Sequence, residues 1–120
     1  MGKRDYAKKL YGSFDMIYDM NTQDPEEITE ITRAGLILNI HIGSKKLIQK
    51  NISPCEFFMS HLDILRHCVI IGDEISGGVI PADEFSRRWR DETGLLYQAI
   101  AREADIVDRI FAGLALRLKG

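Results

Sequence analysis

Three prolines divide this 120-residue chain, and each stands where a helix can begin. In the stretch SPCE, Ser53 is a capping residue, Pro54 occupies the first helical position and Glu56 completes a capping box. The stretch DPEE repeats the pattern around Pro25, and acidic residues follow Pro81. Proline suits this position because it lacks the N–H that would otherwise have no partner in the first turn. The sequence therefore predicts helix starts at Pro25, Pro54 and Pro81.

Apolar residues recur at helical spacing in four segments, at about 4–19, 25–50, 54–75 and 82–118. The glycine-rich SGG at 76–78 is typical of a helix end. These segments predict an all-α fold, a compact bundle of four or five helices formed by a single domain over residues 1–120.

Two parts of this prediction stay open. Residues 82–118 would make one helix about 55 Å long, which favours a break at RDETG, near Gly94, over an unbroken rod that pairs with another chain. The stretch LILNIHIG, with β-branched residues alternating around Asn39 and His41, is compatible with a buried strand. A single strand without a partner is not expected in a helical bundle, so we favour a helix over 36–42.

Composition argues against a nucleic-acid or membrane partner. The formal net charge is −2 and the pI is about 5.9, which gives no overall attraction to phosphates or anionic lipids. The longest apolar run, CVIIG, is far too short for a membrane span, and the N-terminal MGKRDYAKKLYGSF lacks the apolar region of a signal peptide. Two cysteines are too few for a disulfide framework. We expect a cytoplasmic protein.

The stretch SPCEFFMSHLDILRHC concentrates both cysteines and two of the three histidines of the chain. On one helix His61 and Cys68 would lie about 10 Å apart, too far to share a metal ion. Asp63 and His67 have the close i, i+4 spacing. They allow an alternative function, a helical bundle that binds a metal or small ligand with carboxylates from other helices. The simpler interpretation is a solvated face, so we expect no metal and no cofactor.

Catalytic motifs are not evident in the sequence. The stretch GSKK at 43–46 lacks the upstream glycine of a phosphate-binding loop. His67 is followed by CVIIG instead of the lysine and small residues of a histidine phosphotransfer domain. An enzyme is therefore not the favoured interpretation.

The predicted helix after Pro54 is apolar around much of its circumference. Such a helix is typically central in a bundle or shared between two subunits. In FSRRWRDE, arginines flank Trp89, a combination enriched at protein interfaces. Two alternatives stay open here: nucleic-acid binding through Arg87, Arg88 and Arg90, and a structural arrangement in which Phe85 and Trp89 face the core.

The sequence thus predicts a small protein–protein interaction module, a regulator, adaptor or chaperone-like protein that forms a homodimer. The predicted partner-binding residues are Phe57, Phe58, His61, Leu62, Leu65, Arg87, Trp89 and Arg90.

Overall fold

Strands and helices alternate along the chain. The computed structural model describes residues 3–12, 14, 16–30, 35–75, 83–111 and 114–120. In chain order the elements are α1 (Lys3–Tyr11), β1 (Met16–Asp19), a 3₁₀ helix (Pro25–Glu30), β2 (Gly35–Leu38), α2 (Ile40–Gln49), α3 (Pro54–Met59), α4 (Leu62–Leu65), β3 (Cys68–Ile70), α5 (Glu84–Glu103), β4 (Val107–Phe111) and β5 (Leu114–Lys119).

Three strands form a parallel sheet in the order β1-β2-β3. Leu36, at the second position of β2, lies between Ile17 and Val69 in the register of the sheet. All four residues of β2 are buried, as is usual for the central strand of a parallel sheet, which reads as a continuous apolar run. The prediction of an all-α bundle is therefore wrong, and the fold is mixed α/β.

Each predicted long helix is shorter than expected, because part of its apolar pattern belongs to a strand. Helix α1 ends at Tyr11, followed by Gly12 with φ of 79°, a left-handed conformation that glycine adopts at helix ends. The segment after Pro54 forms α3, α4 and then β3.

Of the three predicted helix starts, the one at Pro54 is an α-helix start in the structure. Helix α3 begins at Pro54, and the Ser53 hydroxyl accepts a hydrogen bond from the Glu56 N–H at 3.3 Å. Pro25 begins a 3₁₀ helix instead of an α-helix. Pro81 and the SGG stretch lie outside the described residues. Helix α5 begins at Glu84, capped by Asp83.

The two open questions of the sequence are resolved by the elements around Asn39 and Gly94. The predicted break at Gly94 is wrong, since α5 continues through it to Glu103. After α5, β4 and β5 form a separate antiparallel pair. Residues 36–42 divide between strand and helix: β2 ends at Leu38, Asn39 has a left-handed φ of 59°, and α2 begins at Ile40.

The core lies between the parallel sheet and the helices around it. The larger of its two buried clusters has side chains from β1 and the residue after it, β2, the 3₁₀ helix and four of the α-helices; they are Tyr18, Met20, Ile28, Ile37, Ile40, Leu47, Phe58, Leu65 and Leu96. Among the described residues, none of the helices has the length and apolar character that crossing a membrane requires.

Candidate functional site

Polar residues gather where the three parallel strands end. Asp19 ends β1, and its carboxylate accepts a hydrogen bond of 2.8 Å from the side-chain amide of Asn39, which follows β2. The main chain after β3 joins the same edge, because the Ile71 N–H donates to the Ile37 carbonyl and the Ile71 carbonyl accepts from the Ile40 N–H. The carboxyl edge of the sheet is where ligands bind in open α/β proteins.

Gly72 brings the chain close to two neighbours at this edge. A Cβ at this position would collide with the Tyr97 hydroxyl and would lie 2.7 Å from Cγ2 of Ile40. Only glycine therefore fits the position without displacing α2 or α5 side chains.

Asp73, the next residue, is held by side chains from three helices. Lys3 of α1 donates to its carboxylate at 2.6 Å, Tyr97 of α5 donates to its carbonyl at 2.5 Å, and His41 of α2 accepts a hydrogen bond from its N–H at 3.1 Å. The Asp73 side chain is nevertheless 55% exposed, so a ligand can reach the carboxylate. We call Lys3, His41, Asp73, Glu74 and Tyr97 the sheet-edge site.

His41 is buried at this edge in the first turn of α2. Its carbonyl accepts a 2.8 Å hydrogen bond from the Trp89 indole N–H. Burial lowers the pKa of His41 below its ordinary value, and the nearby Lys3 lowers it further, while Asp73 opposes both effects. The imidazole is therefore neutral near pH 7.

The remaining charges of the site are also paired. The hydrogen bond from Lys3 holds the pKa of Asp73 below its ordinary range. Arg109 of β4 lies 3.1 Å from the Glu74 carboxylate. Burial, and then the two acidic neighbours, raise the pKa of Tyr97, so its phenol keeps its proton and acts as a donor.

The arrangement offers a polar ligand groups of both signs. Lys3 is the first residue of α1, and its bond to Asp73 places that helix N-terminus at the sheet edge. Helix α2 also begins there. Both helix N-termini favour anions, and the Asp73 and Glu74 carboxylates can accept hydrogen bonds from hydroxyl or amide groups.

The predicted partner-binding residues of α3 and α4 lie largely inside the protein. Phe58 is fully buried and Leu65 is 5% exposed, whereas Phe57, His61 and Leu62 are half-buried. The rings of Phe57 and Phe58 meet edge to face at 5.2 Å between centroids. Partner binding by this face stays a prediction. Of the five residues, only the half-buried Phe57, His61 and Leu62 are accessible to a partner.

The predicted arginine–tryptophan edge lies on α5. Trp89 is half-buried, bonded to the His41 carbonyl and covered by the Lys45 ammonium 5.0 Å from its ring. Arg90 pairs with the neighbouring Asp91 at 3.1 Å. The exposed Arg87 takes part in contacts of its own. Partner binding by these residues also stays a prediction.

Asp63 and His67, the residues of the metal-binding alternative, are both exposed. Within the described ranges, His, Cys, Asp and Glu side chains form no group of three or more that could hold a metal ion. Cys55 and Cys68 are free thiols, and burial raises the pKa of Cys68.

A parallel sheet with a charged carboxyl edge places the chain in the class of open α/β proteins, and comparison with known families identifies which kind. Residues 20–118 match the model of CobU, described as cobinamide kinase / cobinamide phosphate guanyltransferase. This match spans most of the 120 residues, and the chain belongs to the CobU family.

A curated relative agrees with this family. The chain is similar to the bifunctional adenosylcobalamin biosynthesis protein CobP of Pseudomonas aeruginosa, with 44% identity over 52 residues. The matched stretch covers 43% of this chain and 30% of the relative, so the chain spans less than a third of that protein.

These findings correct the functional interpretation of the sequence. Membership of a family of cobinamide-modifying enzymes overturns the prediction of a regulator, adaptor or chaperone-like module. The same finding overturns the two alternatives as the function of the chain: metal or ligand binding through Asp63 and His67, and nucleic-acid binding through Arg87, Arg88 and Arg90.

Sequence reasoning missed the sheet-edge site. A signal was available, because MIY, LIL and CVI are short apolar runs, each followed within three residues by a polar residue: Asp19, Asn39 and Asp73. Runs of this kind bounded by turn residues are consistent with buried parallel strands.

Proposed function

We propose that this chain acts in adenosylcobalamin biosynthesis, in the phosphorylation of cobinamide or the transfer of a guanyl group to cobinamide phosphate. The observation that carries the proposal is the CobU match over residues 20–118. The matched range contains four of the five residues of the sheet-edge site; only Lys3 precedes it.

Both reactions are transfers at phosphorus. In the first, a cobinamide hydroxyl oxygen bonds to the terminal phosphorus of a nucleoside triphosphate, the bond to the bridging oxygen breaks, the diphosphate leaves and the hydroxyl proton passes to solvent. In the second, an oxygen of cobinamide phosphate bonds to the α-phosphorus of GTP and pyrophosphate leaves. Stabilising the phosphate charge is the main task of the protein in such transfers.

The sheet-edge site offers the groups for this task. Lys3 and the N-termini of α1 and α2 supply positive potential, and Asp73 and Glu74 can orient hydroxyl or amide groups of a substrate. The 120 residues contain no GxxxxGK[ST] motif. In this proposal Lys3 and the N-termini of α1 and α2 contact the phosphates.

Two assays on the purified chain test the proposal: cobinamide with ATP or GTP, and cobinamide phosphate with GTP, each followed by chromatography and mass spectrometry of the corrinoid product. We expect Asp73→Asn to lower kcat/KM by about tenfold or more, as expected for loss of a charged group in the site. Asp63→Asn, which changes an exposed carboxylate on α4, is the matched control and should have no effect. Absence of both products, together with no calorimetric binding of GTP or cobinamide, would contradict the proposal.

We also propose that the chain works in the cytoplasm, where nucleoside triphosphates are available. Two free thiols, Cys55 and Cys68, are consistent with a reducing compartment. Fractionation of cells that produce a tagged chain tests this, and recovery of the chain outside the cytoplasmic fraction would contradict it.

A further inference from the structure

Asp73 makes hydrogen bonds to three other side chains although its own side chain is exposed. Its N–H, carbonyl and carboxylate are bound by His41, Tyr97 and Lys3, which belong to three different helices. The Tyr97 bond does not change near neutral pH, because burial raises the pKa of the phenol and it keeps its proton there. The His41 bond is different, because the acceptor is a ring nitrogen that can itself take up a proton.

The geometry defines the tautomer of His41. The Asp73 N–H donates to Nδ1 at 3.1 Å, so Nδ1 carries a lone pair and the ring proton is on Nε2. Nε2 faces the Asp73 carboxylate at 3.6 Å. The main chain of His41 is fixed by Trp89, whose indole donates to the His41 carbonyl. If the ring turned, it would lose its contacts with both the N–H and the carboxylate of Asp73.

We propose that His41 is a positioning residue of the sheet-edge site, which holds the main chain of Asp73 only while its imidazole is neutral. Protonation of Nδ1 would set two N–H donors against each other and break the bond to Asp73. A role of this pH-dependent hydrogen bond in catalysis rests on the proposed function, whereas the hydrogen bond itself does not.

The charged and titratable groups around His41 determine where the change occurs. Lys3 from α1 opposes protonation, Asp73 after β3 favours it, and Tyr97 and Trp89 from α5 are uncharged. Burial is the largest influence and also opposes protonation. We therefore expect release of Asp73 below pH 6.5, the ordinary pKa of histidine.

NMR of the full chain tests the device without any substrate. Ring ¹⁵N shifts should show His41 unprotonated at Nδ1 at neutral pH, and the Asp73 amide resonance should shift with the same midpoint as the His41 ring. In His41→Asn, whose side-chain oxygen can replace Nδ1 as acceptor, the amide should stay protected and lose its pH dependence. In His41→Leu, exchange of the Asp73 amide should rise by about tenfold, as expected for loss of one hydrogen bond.

His67→Gln is the matched control, since His67 is exposed, and it should leave the Asp73 titration unchanged. A ring proton on Nδ1, or an Asp73 amide that does not respond to the His41 titration, would overturn the proposal. If His41→Leu does not fold, the pH titrations of the Asp73 amide in the wild type and in His41→Asn still test the proposal.

The pH profile of kcat/KM adds the catalytic test. We expect the acid limb to disappear in His41→Asn and to persist in His67→Gln. An inactive wild type with the NMR titration intact would refute the proposed function alone. An active wild type with no titration at Asp73 would refute the positioning role alone.

Discussion

Gly72 shows how one missing Cβ shapes the sheet-edge site. A methyl group here would meet the Tyr97 hydroxyl and Ile40 Cγ2, so Gly72→Ala should lower the free energy of unfolding by about 1–3 kcal/mol, as overpacking does. Urea unfolding followed by circular dichroism measures the change.

Gly94→Ala is the matched control for that substitution. Gly94 lies inside α5, and a Cβ there would meet nothing within 4 Å, so we expect stabilisation of about 0.5–1 kcal/mol from helix propensity. If the two variants had equal stability, the close approach at Gly72 would not constrain the fold.

The packing of α2 against α5 includes a fully buried polar contact. The hydroxyls of Ser44 and Thr93 are fully buried and lie 2.7 Å apart. Thr93→Val would leave the Ser44 hydroxyl without this partner and should cost about 1–3 kcal/mol of stability.

A double-mutant cycle checks that explanation. Adding Ser44→Ala to Thr93→Val removes the orphaned hydroxyl, so the double variant should recover part of the loss in urea unfolding. Losses that simply add would show that the two hydroxyls contribute independently.

The elements that the sequence predicts well are those specified by local signals. Ser53 caps α3 and Pro54 begins it, because a capping box acts over four residues. The strands are not specified locally: β3 has three residues, and its apolar run also fits a helical stripe. Parallel pairing joins residues 33 positions apart, such as Gly35 and Cys68, and neither periodicity nor composition contains that information.

The candidate site was missed for the same reason. His41 and Asp73 are 32 residues apart and meet only because β2 and β3 are neighbours. The indole of Trp89, a predicted partner-binding residue, donates a hydrogen bond to the main chain of α2.

At the scale of the whole molecule, the charges of the sheet-edge site link folding to pH. The pKa of Asp73 is held low by Lys3, so the unfolded chain takes up a proton at this carboxyl more readily than the folded chain. The stability that Asp73 contributes is present above about pH 4 and is lost as the pH falls through the lower pKa of the folded state.

The pKa of His41 is also lowered on folding, so its contribution begins to fall as the pH drops below 6.5. We expect urea unfolding from pH 7 downward to show loss of stability in both windows. Asp73→Asn should lose less stability at acid pH than the wild type does. Asp63→Asn, on an exposed part of α4, should lose as much as the wild type. Identical pH dependence in all three proteins would contradict a stabilising role for the Lys3 ion pair.

Subunit number is the last property of the whole molecule that the sequence predicts, and the predicted homodimer can be tested directly. Native mass spectrometry should show a species of twice 13.7 kDa if the dimer forms. Leu62→Ala tests the predicted interface, because Leu62 is half-buried and lies outside the buried core clusters, whereas Phe58 is fully buried and alanine there would cost about 3–5 kcal/mol of stability. Arg87→Ala tests the α5 edge in the same way. A monomer at concentrations far above those of the activity assays would contradict the prediction. A dimer that both substitutions leave intact would place the interface elsewhere on the chain.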